Sequence, residues 1–230
     1  GIIVGTDRPL RHAGVLFQAT DANATVGQVV RIDTALLEAT KPIVDLLRSN
    51  VNVQGNALDL VDKARLTAGT VQAPINAVFN LNASTLTLAA GASLANVNNS
   101  ILRILGNLFS LNNTSTLTIM NGALVNVSGT GVFSLSNGSL GVFGTTGTNT
   151  LNILATSGGG TFALPGSIPN LDVTKVPVLL RNNASATQVT VTQGFVPFSG
   201  VNGTSNTVNI PSGSAALVVN GNSAKIKLGP

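Results

Sequence analysis

Charge is scarce in this chain of 230 residues. Only 9% of the residues are charged and 43% are hydrophobic, whereas an ordinary globular protein has roughly 25% charged residues. From Leu66 to Leu171 the one charged side chain is Arg103. The solvent-exposed surface must therefore consist mainly of side-chain amides and hydroxyls. Such a surface has little electrostatic repulsion to keep copies apart, which favours association.

Several residue types and segments are also absent, and each absence excludes a class of protein. Without cysteine there is no disulfide framework and no thiolate metal site. Tryptophan and tyrosine are missing and the net charge of +4 includes no basic cluster, so we expect no nucleic-acid binding. No apolar run reaches the roughly 18 residues of a membrane helix, so we expect no membrane insertion. The start at Gly1 without Met predicts a processed, secreted protein that lies outside the cell or at its surface, although a chain trimmed at this point would begin in the same way.

Short alternating apolar pairs, such as Val30/Ile32, recur about every seven to nine residues along most of the chain. Alternation predicts strands with one buried face, and a constant step predicts one small unit stacked many times. Residues 34–48 also have helical spacing, but Pro42 lies inside them and would break or kink a helix.

This pattern predicts an all-β protein, a parallel β-helix (β-solenoid) with about three short strands per coil. Three steps give a coil of about 22 to 24 residues, for example from Val97 to Ile119. Leu, Val, Ile and Phe would stack inside as ladders, Asn ladders would form outside, and bends would fall at Gly and Asn. The word Ser-Thr-Leu-Thr occurs at residues 84 and 115, about four steps apart, so the number of faces stays open. A flat β-sandwich is the alternative fold.

The regular step loosens near residues 157–160 (SGGG), which predicts two regions. We expect a β-solenoid in residues 1–160, whose first part, residues 1–50, serves as a cap or an assembly region. Residues 161–230 are expected to add C-terminal strands. These would form the final coils, a β cap or a small β assembly module.

Residues 115–144 read STLTIMNGALVNVSGTGVFSLSNGSLGVFG, and similar words continue through residues 82–153. This run resembles the repetitive parallel β-helix proteins of bacterial surfaces, which include filamentous haemagglutinin-type adhesins and autotransporter passengers. The resemblance implies secretion, a right-handed β-helix, and a role in adhesion or in building an extracellular structure. It brings no catalytic residues with it.

Groups for chemistry are few. Asp45, Asp59 and Asp62 are the one close acidic group, and the seven-residue step puts Asp45 and Asp59 on different faces, which disfavours a two-carboxylate hydrolase. His12 is the sole histidine, and it has no cysteine partners for zinc and no serine in a G-x-S-x-G motif to activate. We therefore expect no enzyme, no catalytic residues, no cofactor and no metal site.

The Thr-x-Thr words at 85/87 and 116/118 are similar to the flat threonine arrays of ice-binding solenoids. Such an array needs the same residues at the same place in every coil. Residues 125–127 (VNV) and 133–135 (FSL) are expected to interrupt it. We therefore read these threonines as residues chosen for strand propensity.

The function favoured by these features is that of a non-catalytic extracellular structural subunit. Its open β ends would join copies of the chain head to tail into a filament, surface layer or matrix. The alternative is a surface adhesin or a carbohydrate-binding β-helix module that recognises surface glycans. Alternation in the last strand predicts a terminal or edge strand whose Lys225 and Lys227 side chains face solvent. The candidate assembly edges are Ile2, Ile3, Val4, Ile226 and Leu228.

Overall fold

The computed structural model describes residues 10–154 and, further along the chain, residues 180–182, 189–191, 198–199, 207–209, 216–220 and 225–228. Within these ranges every regular element is a β-strand. The strands are β1 Leu10–His12, β2 Phe17–Thr20, β3 Asn23–Val26, β4 Val30–Asp33, β5 Leu36–Ala39, β6 Val44–Leu47, β7 Asn50–Val53, β8 Leu58–Val61, β9 Arg65–Ala68, β10 Ile75–Asn82, β11 Thr85–Leu88, β12 Ala95–Asn98, β13 Ile101–Asn112, β14 Thr116–Met120, β15 Val125–Ser128, β16 Val132–Ser136, β17 Gly141–Phe143, β18 Thr150–Leu154, β19 Leu180–Asn182, β20 Val189–Val191, β21 Phe198–Ser199, β22 Thr207–Asn209, β23 Leu217–Asn220 and β24 Lys225–Leu228.

The strands form three parallel sheets in which neighbours come from different coils of the chain. The largest sheet has 12 strands and consists of two halves, which we name sheets A and B, that share β13. The other two, sheets C and D, have six strands each. Sheet A contains β1, β5, β9, β13, β16, β24 and β20; sheet B contains β2, β6, β10, β13, β17 and β21; sheet C contains β3, β7, β11, β14, β18 and β22; sheet D contains β4, β8, β12, β15, β23 and β19.

The predicted all-β parallel β-solenoid is confirmed, with about 5 turns that each pass through the three sheets. The alternative helix across residues 34–48 does not form, because β5 and β6 occupy this segment and Pro42 lies in the turn between them. Within the described ranges no helix is long and apolar enough to cross a membrane.

The coil is longer than the sequence pattern predicts, because most coils cross the largest sheet with two short strands, one in each half. Hydrogen bonds between neighbouring coils join residues that are 27 positions apart at the start of the solenoid, as in Asp21 and Arg48, and 37 apart further along, as in Asn56 and Ser93. Val97 and Ile119, the predicted ends of one coil, lie in different sheets, D and C. The two Ser-Thr-Leu-Thr words lie directly over each other at the start of β11 and β14.

Sharp corners with left-handed backbone angles connect the sheets. Several of these corners hold Asn or Gly, as predicted, but Arg48, Ala83 and Lys63 also have positive φ, at 48°, 49° and 73°. Non-glycine residues adopt this conformation at a cost, so surrounding contacts must hold it in place. At these three corners the next residue is small and buried, which lets the chain turn close to the core.

A column of buried hydroxyls forms where sheet B turns into sheet C. The hydroxyl of Ser49 accepts from the Ala22 amide at 3.1 Å, that of Ser84 from the Ser49 amide at 3.0 Å, and that of Ser115 from the Ser84 amide at 3.1 Å. The side-chain oxygen of Asn149 continues the column by accepting from the Ser115 amide at 3.0 Å. Each corner is therefore hydrogen-bonded to the corner of the next coil, and these buried amides all have an acceptor.

The interior is a set of apolar columns, and in one column a glycine leaves room for a phenylalanine ring of the neighbouring coil. Phe79 stacks in register on Phe109, which in turn stacks on Gly141. A Cβ atom at Gly141 would collide with the ring of Phe109. Phe109 also contacts Phe143 edge to face, with ring centroids 5.9 Å apart. The predicted inward ladders of Leu, Val, Ile and Phe are confirmed by this packing.

The C-terminal strands stack on the same sheets, but not in chain order. The last two strands lie between earlier ones, because β23 pairs with β15 and β19, and β24 pairs with β16 and β20. The predicted division near residue 160 lies outside the described residues. The described part of the segment from 161 to 230 thus extends the sheets of the solenoid.

We expect Ser84→Ala to lower the free energy of unfolding by about 1–3 kcal/mol, because the buried Ser49 amide loses its acceptor. The hydroxyl also donates to the Asn82 carbonyl at 2.8 Å. Ser134→Ala, on the outer face of sheet A, is the matched control and should change stability by less than about 0.5 kcal/mol. Urea unfolding followed by circular dichroism measures both. Equal effects of the two variants would contradict the role of the serine column.

Candidate functional site

The outer face of sheet A collects exposed cationic side chains from coils that are far apart in sequence. Two outward columns run across the strands. In the first column Arg65 stacks on Ile101, then Val132, then Lys225. The second column contains Arg11, Glu38, Thr67, Arg103, Ser134 and Lys227 in that order. We name the surface formed by these two columns the basic face.

A cleft of about 640 Å³ lies beside the basic face, against the loop of residues 69–74. Its floor includes Glu38, Thr67 and Arg103, one from each of three consecutive coils. The loop forms its wall and is held in a turn, because the Thr70 amide donates to the Ala73 carbonyl at 2.9 Å. Arg11 also lines the cleft. The lining thus offers guanidinium, hydroxyl and amide groups, with a single carboxylate.

Ion pairs neutralise only some of the charged side chains on the surface. On the basic face Arg11 contacts Glu38 at 3.0 Å, and both side chains are exposed. At the corner between sheets B and C, Arg48 donates two hydrogen bonds to Asp21. The hydrogen bonds from Arg48 lower the pKa of the Asp21 carboxyl below its usual range. Both of these pairs face water, so we assign them little stability.

Asp59 is the one buried carboxylate among the described residues, with 3% of its surface exposed, and it belongs to a structural network. Arg31 donates to it at 3.0 Å and Asn96 at 2.8 Å. Gln28 and Asn56 donate as well, at 3.0 and 3.2 Å. Four donors use most of the acceptor capacity of the carboxylate. Asn126 extends the row by donating to Asn96 at 2.8 Å, which confirms the predicted asparagine ladder.

The acidic residues singled out in the sequence do not converge. Asp45 lies in sheet B and accepts from Asn80 at 2.7 Å, Asp59 lies in sheet D, and Asp62 is exposed at a corner. Asp45 and Asp59 are therefore on different faces, as predicted. Within the described part of the chain, no three residues of the types His, Asp and Glu come together as a metal-ligand group.

His12 ends an inward column of sheet A, because it stacks on Ala39. Its Nε2 atom is buried and makes no hydrogen bond within the described residues. The cleft is lined by threonines and no serine, and none of these hydroxyls is hydrogen-bonded to Nε2.

The candidate assembly edges have different outcomes. Ile2, Ile3 and Val4 lie outside the described residues. Ile226 and Leu228 point into the core, while Lys225 and Lys227 are exposed, as the alternation predicted. Because β24 is paired on both sides, these residues do not form an open edge of the sheet. Their part in assembly stays a prediction, but it cannot consist in the pairing of a strand from another copy with β24.

The outer face of sheet C carries aligned ranks of Thr and Asn, which corrects the expectation that residues from other segments interrupt them. Residues 125–127 and 133–135 lie in sheets D and A and leave this face untouched. Met120, exposed at the end of β14, departs from this polar pattern, but the ten residues at the first two outward positions of five consecutive strands are all Thr or Asn. They are Asn23, Thr25, Asn50, Asn52, Thr85, Thr87, Thr116, Thr118, Thr150 and Asn152.

Sequence reasoning missed both surfaces because it used a coil of the wrong length. The cations of the basic face are spread over most of the chain, since Arg11 and Lys227 share one column, so no basic cluster is visible in the sequence. The available signal was the distance between the two Ser-Thr-Leu-Thr words, which equals the length of one coil.

No protein-family model matches this sequence, and no curated protein or solved structure is significantly similar to it. The structure supports membership in the general class of parallel β-solenoid repeat proteins.

Proposed function

We propose that this chain is a non-catalytic structural solenoid whose coils associate with those of a second copy, giving a filament, a surface layer or a matrix. The supporting observation is that the first described coil has a neighbouring coil on one side only among the described residues. Strands β1 to β4 each pair with one strand only among the described residues. Unpaired strand edges are templates for the addition of another chain.

The inward side chains of this coil are also less buried than their partners one coil further in. Phe17 and Val26 are partly buried, whereas Val44 and Val53, on which they stack, are 0% and 1% exposed. A coil stacked on this end would remove their remaining apolar surface from water, at about 25 cal/mol per Å². The low charge of the surface adds little repulsion against such contact.

An extracellular or cell-surface location belongs to the same proposal. It is supported by the resemblance of residues 82–153 to the repetitive surface proteins and by a surface built from amides and hydroxyls. An adhesive role, the alternative function, would use the side of the solenoid and not its end.

We expect the purified chain to form particles that lengthen with concentration and keep a constant width in electron micrographs. Val26→Lys places a charge in the uncovered inward column and should shift the sedimentation profile to the monomer. Thr25→Lys, its outward neighbour, is the matched control and should associate like the parent. Circular dichroism checks that both variants keep their strands. A parent chain that stays monomeric at every concentration would contradict the proposal.

A second candidate function is supported by the aligned ranks of Thr and Asn on the outer face of sheet C. Outward residues there repeat at about 6.7 Å along a strand and about 4.8 Å between strands. This grid of short polar groups is close to the oxygen repeats on surfaces of hexagonal ice. Charged side chains, which would hold disordered water, are absent from the ten positions named above.

If sheet C binds ice, the chain should inhibit ice recrystallisation. Thr118→Lys in the middle of the array should abolish the inhibition, because the long side chain prevents flat contact. Ser134→Lys introduces the same charge on sheet A and should have no effect. If ice recrystallises as fast with this chain as with an unrelated control protein, ice binding is excluded.

A further inference from the structure

The basic face carries the net positive charge of the described part of the chain. The chain has 12 Lys and Arg residues and 8 Asp and Glu residues. Five of these cations and one of these acids lie in the two outward columns of sheet A. In the part of the chain that the structure describes, the other five cations and five acids balance each other, so an excess of four positive charges lies on this one side of the solenoid. The residues are Arg11, Arg65, Arg103, Lys225, Lys227 and Glu38.

Most of these cations are not neutralised by neighbouring carboxylates. Glu38 contacts Arg11 at 3.0 Å. Among the described residues no carboxylate lies within ion-pair distance of Arg65 or Arg103, nor of the two lysines. All five cationic residues are exposed. In a chain with so few charges, an unbalanced surface of one sign points to a partner of the opposite sign.

The spacing of the cations indicates the shape of that partner. Strands of neighbouring coils are about 4.8 Å apart, so Arg103 and Lys227, two coils apart, are separated by about 10 Å. Arg65 and Lys225 are three coils apart, or about 14 Å. A linear polymer lying along the solenoid axis would meet one cation every two or three coils.

The groups between the cations suit sugars. Ile101 and Val132 are half-exposed in the first column and offer apolar contact to the C–H faces of pyranose rings. Thr67 and Ser134 provide hydroxyls in the second column, and the cleft beside residues 69–74 adds further hydroxyl and amide groups. Duplex DNA carries one charge per about 1.7 Å and is recognised by a denser basic footprint. The sparse charge fits a carboxylated polysaccharide better.

We propose that the basic face and its cleft bind an anionic polysaccharide whose carboxylates recur at about every second sugar. The polymer lies across the coils, with its carboxylates paired to Arg65, Arg103 and the lysines. Because the basic face runs along the side of the solenoid, this inference does not depend on coil stacking between copies.

The test measures binding of hyaluronan to the full chain by biolayer interferometry over a series of salt concentrations. Uncharged dextran, duplex DNA and anionic phospholipid vesicles serve as comparison ligands. We expect binding to hyaluronan that weakens steadily with salt, and none to dextran. Tighter binding to DNA or to the vesicles than to hyaluronan would overturn the assignment of the partner. Absence of binding to hyaluronan at low salt would overturn it as well.

Two matched pairs of variants locate the site. The double variant Arg65→Gln with Arg103→Gln should weaken binding roughly tenfold at low salt and flatten its salt dependence. Arg48→Gln with Lys41→Gln removes the same charge away from the two columns and should weaken binding by less than about twofold. All four side chains are exposed, so the fold should persist, which circular dichroism verifies. An equal loss in the two double variants would show that net charge alone, and not the basic face, attracts the polymer.

Discussion

Backbone hydrogen bonds between successive coils hold this molecule together, and they allow no slip in register. A shift of one residue would turn every inward side chain outward, because the side chains of a strand alternate between its two faces. The serine column at the corner between sheets B and C bonds the same coils a second time, away from the strands. With the register fixed at both places, each residue stacks on a defined partner in the next coil.

This register turns a sequence of low complexity into surfaces with separate properties. Residues that are far apart along the chain become neighbours in a column, as Arg11 and Lys227 do on sheet A. Sheet C presents aligned ranks of Thr and Asn over five strands, while sheet D carries the Asp59 network with its asparagine ladder. The solenoid thus keeps its charged and its uncharged outward faces on different sides. The proposed coil stacking at one end and polymer binding along one side do not compete for the same residues.

The fold class could be predicted from the sequence because burial in a short strand imposes an alternation that survives at every step. The wrong coil length has a physical reason. The largest sheet has two halves that are joined through β13, so the chain takes two steps of the pattern to cross this one side of the coil. Corners could not all be located from Gly and Asn, because Arg48, Ala83 and Lys63 adopt left-handed angles as well. The insertion of β23 and β24 between earlier strands leaves no trace in local spacing.

The candidate surfaces could not be predicted for the same reason. A basic column and a threonine array are properties of stacked residues, and both are invisible until the coil length is known. The separation of Asp45 from Asp59 was easier to foresee, since these residues are two steps apart in any coil of three or four steps.

The coil length itself is the claim on which the rest depends, and pairwise cysteine cross-linking tests it directly in a chain that has no cysteine of its own. With Thr87→Cys and Thr118→Cys, the two residues are in-register neighbours in sheet C, so a disulfide should form rapidly under mild oxidation. Thr87→Cys with Ser110→Cys has the spacing of the shorter coil that the sequence pattern predicts. These two partners lie in sheets C and B and should remain reduced. Rapid cross-linking of the 87–110 pair and none of the 87–118 pair would contradict the account.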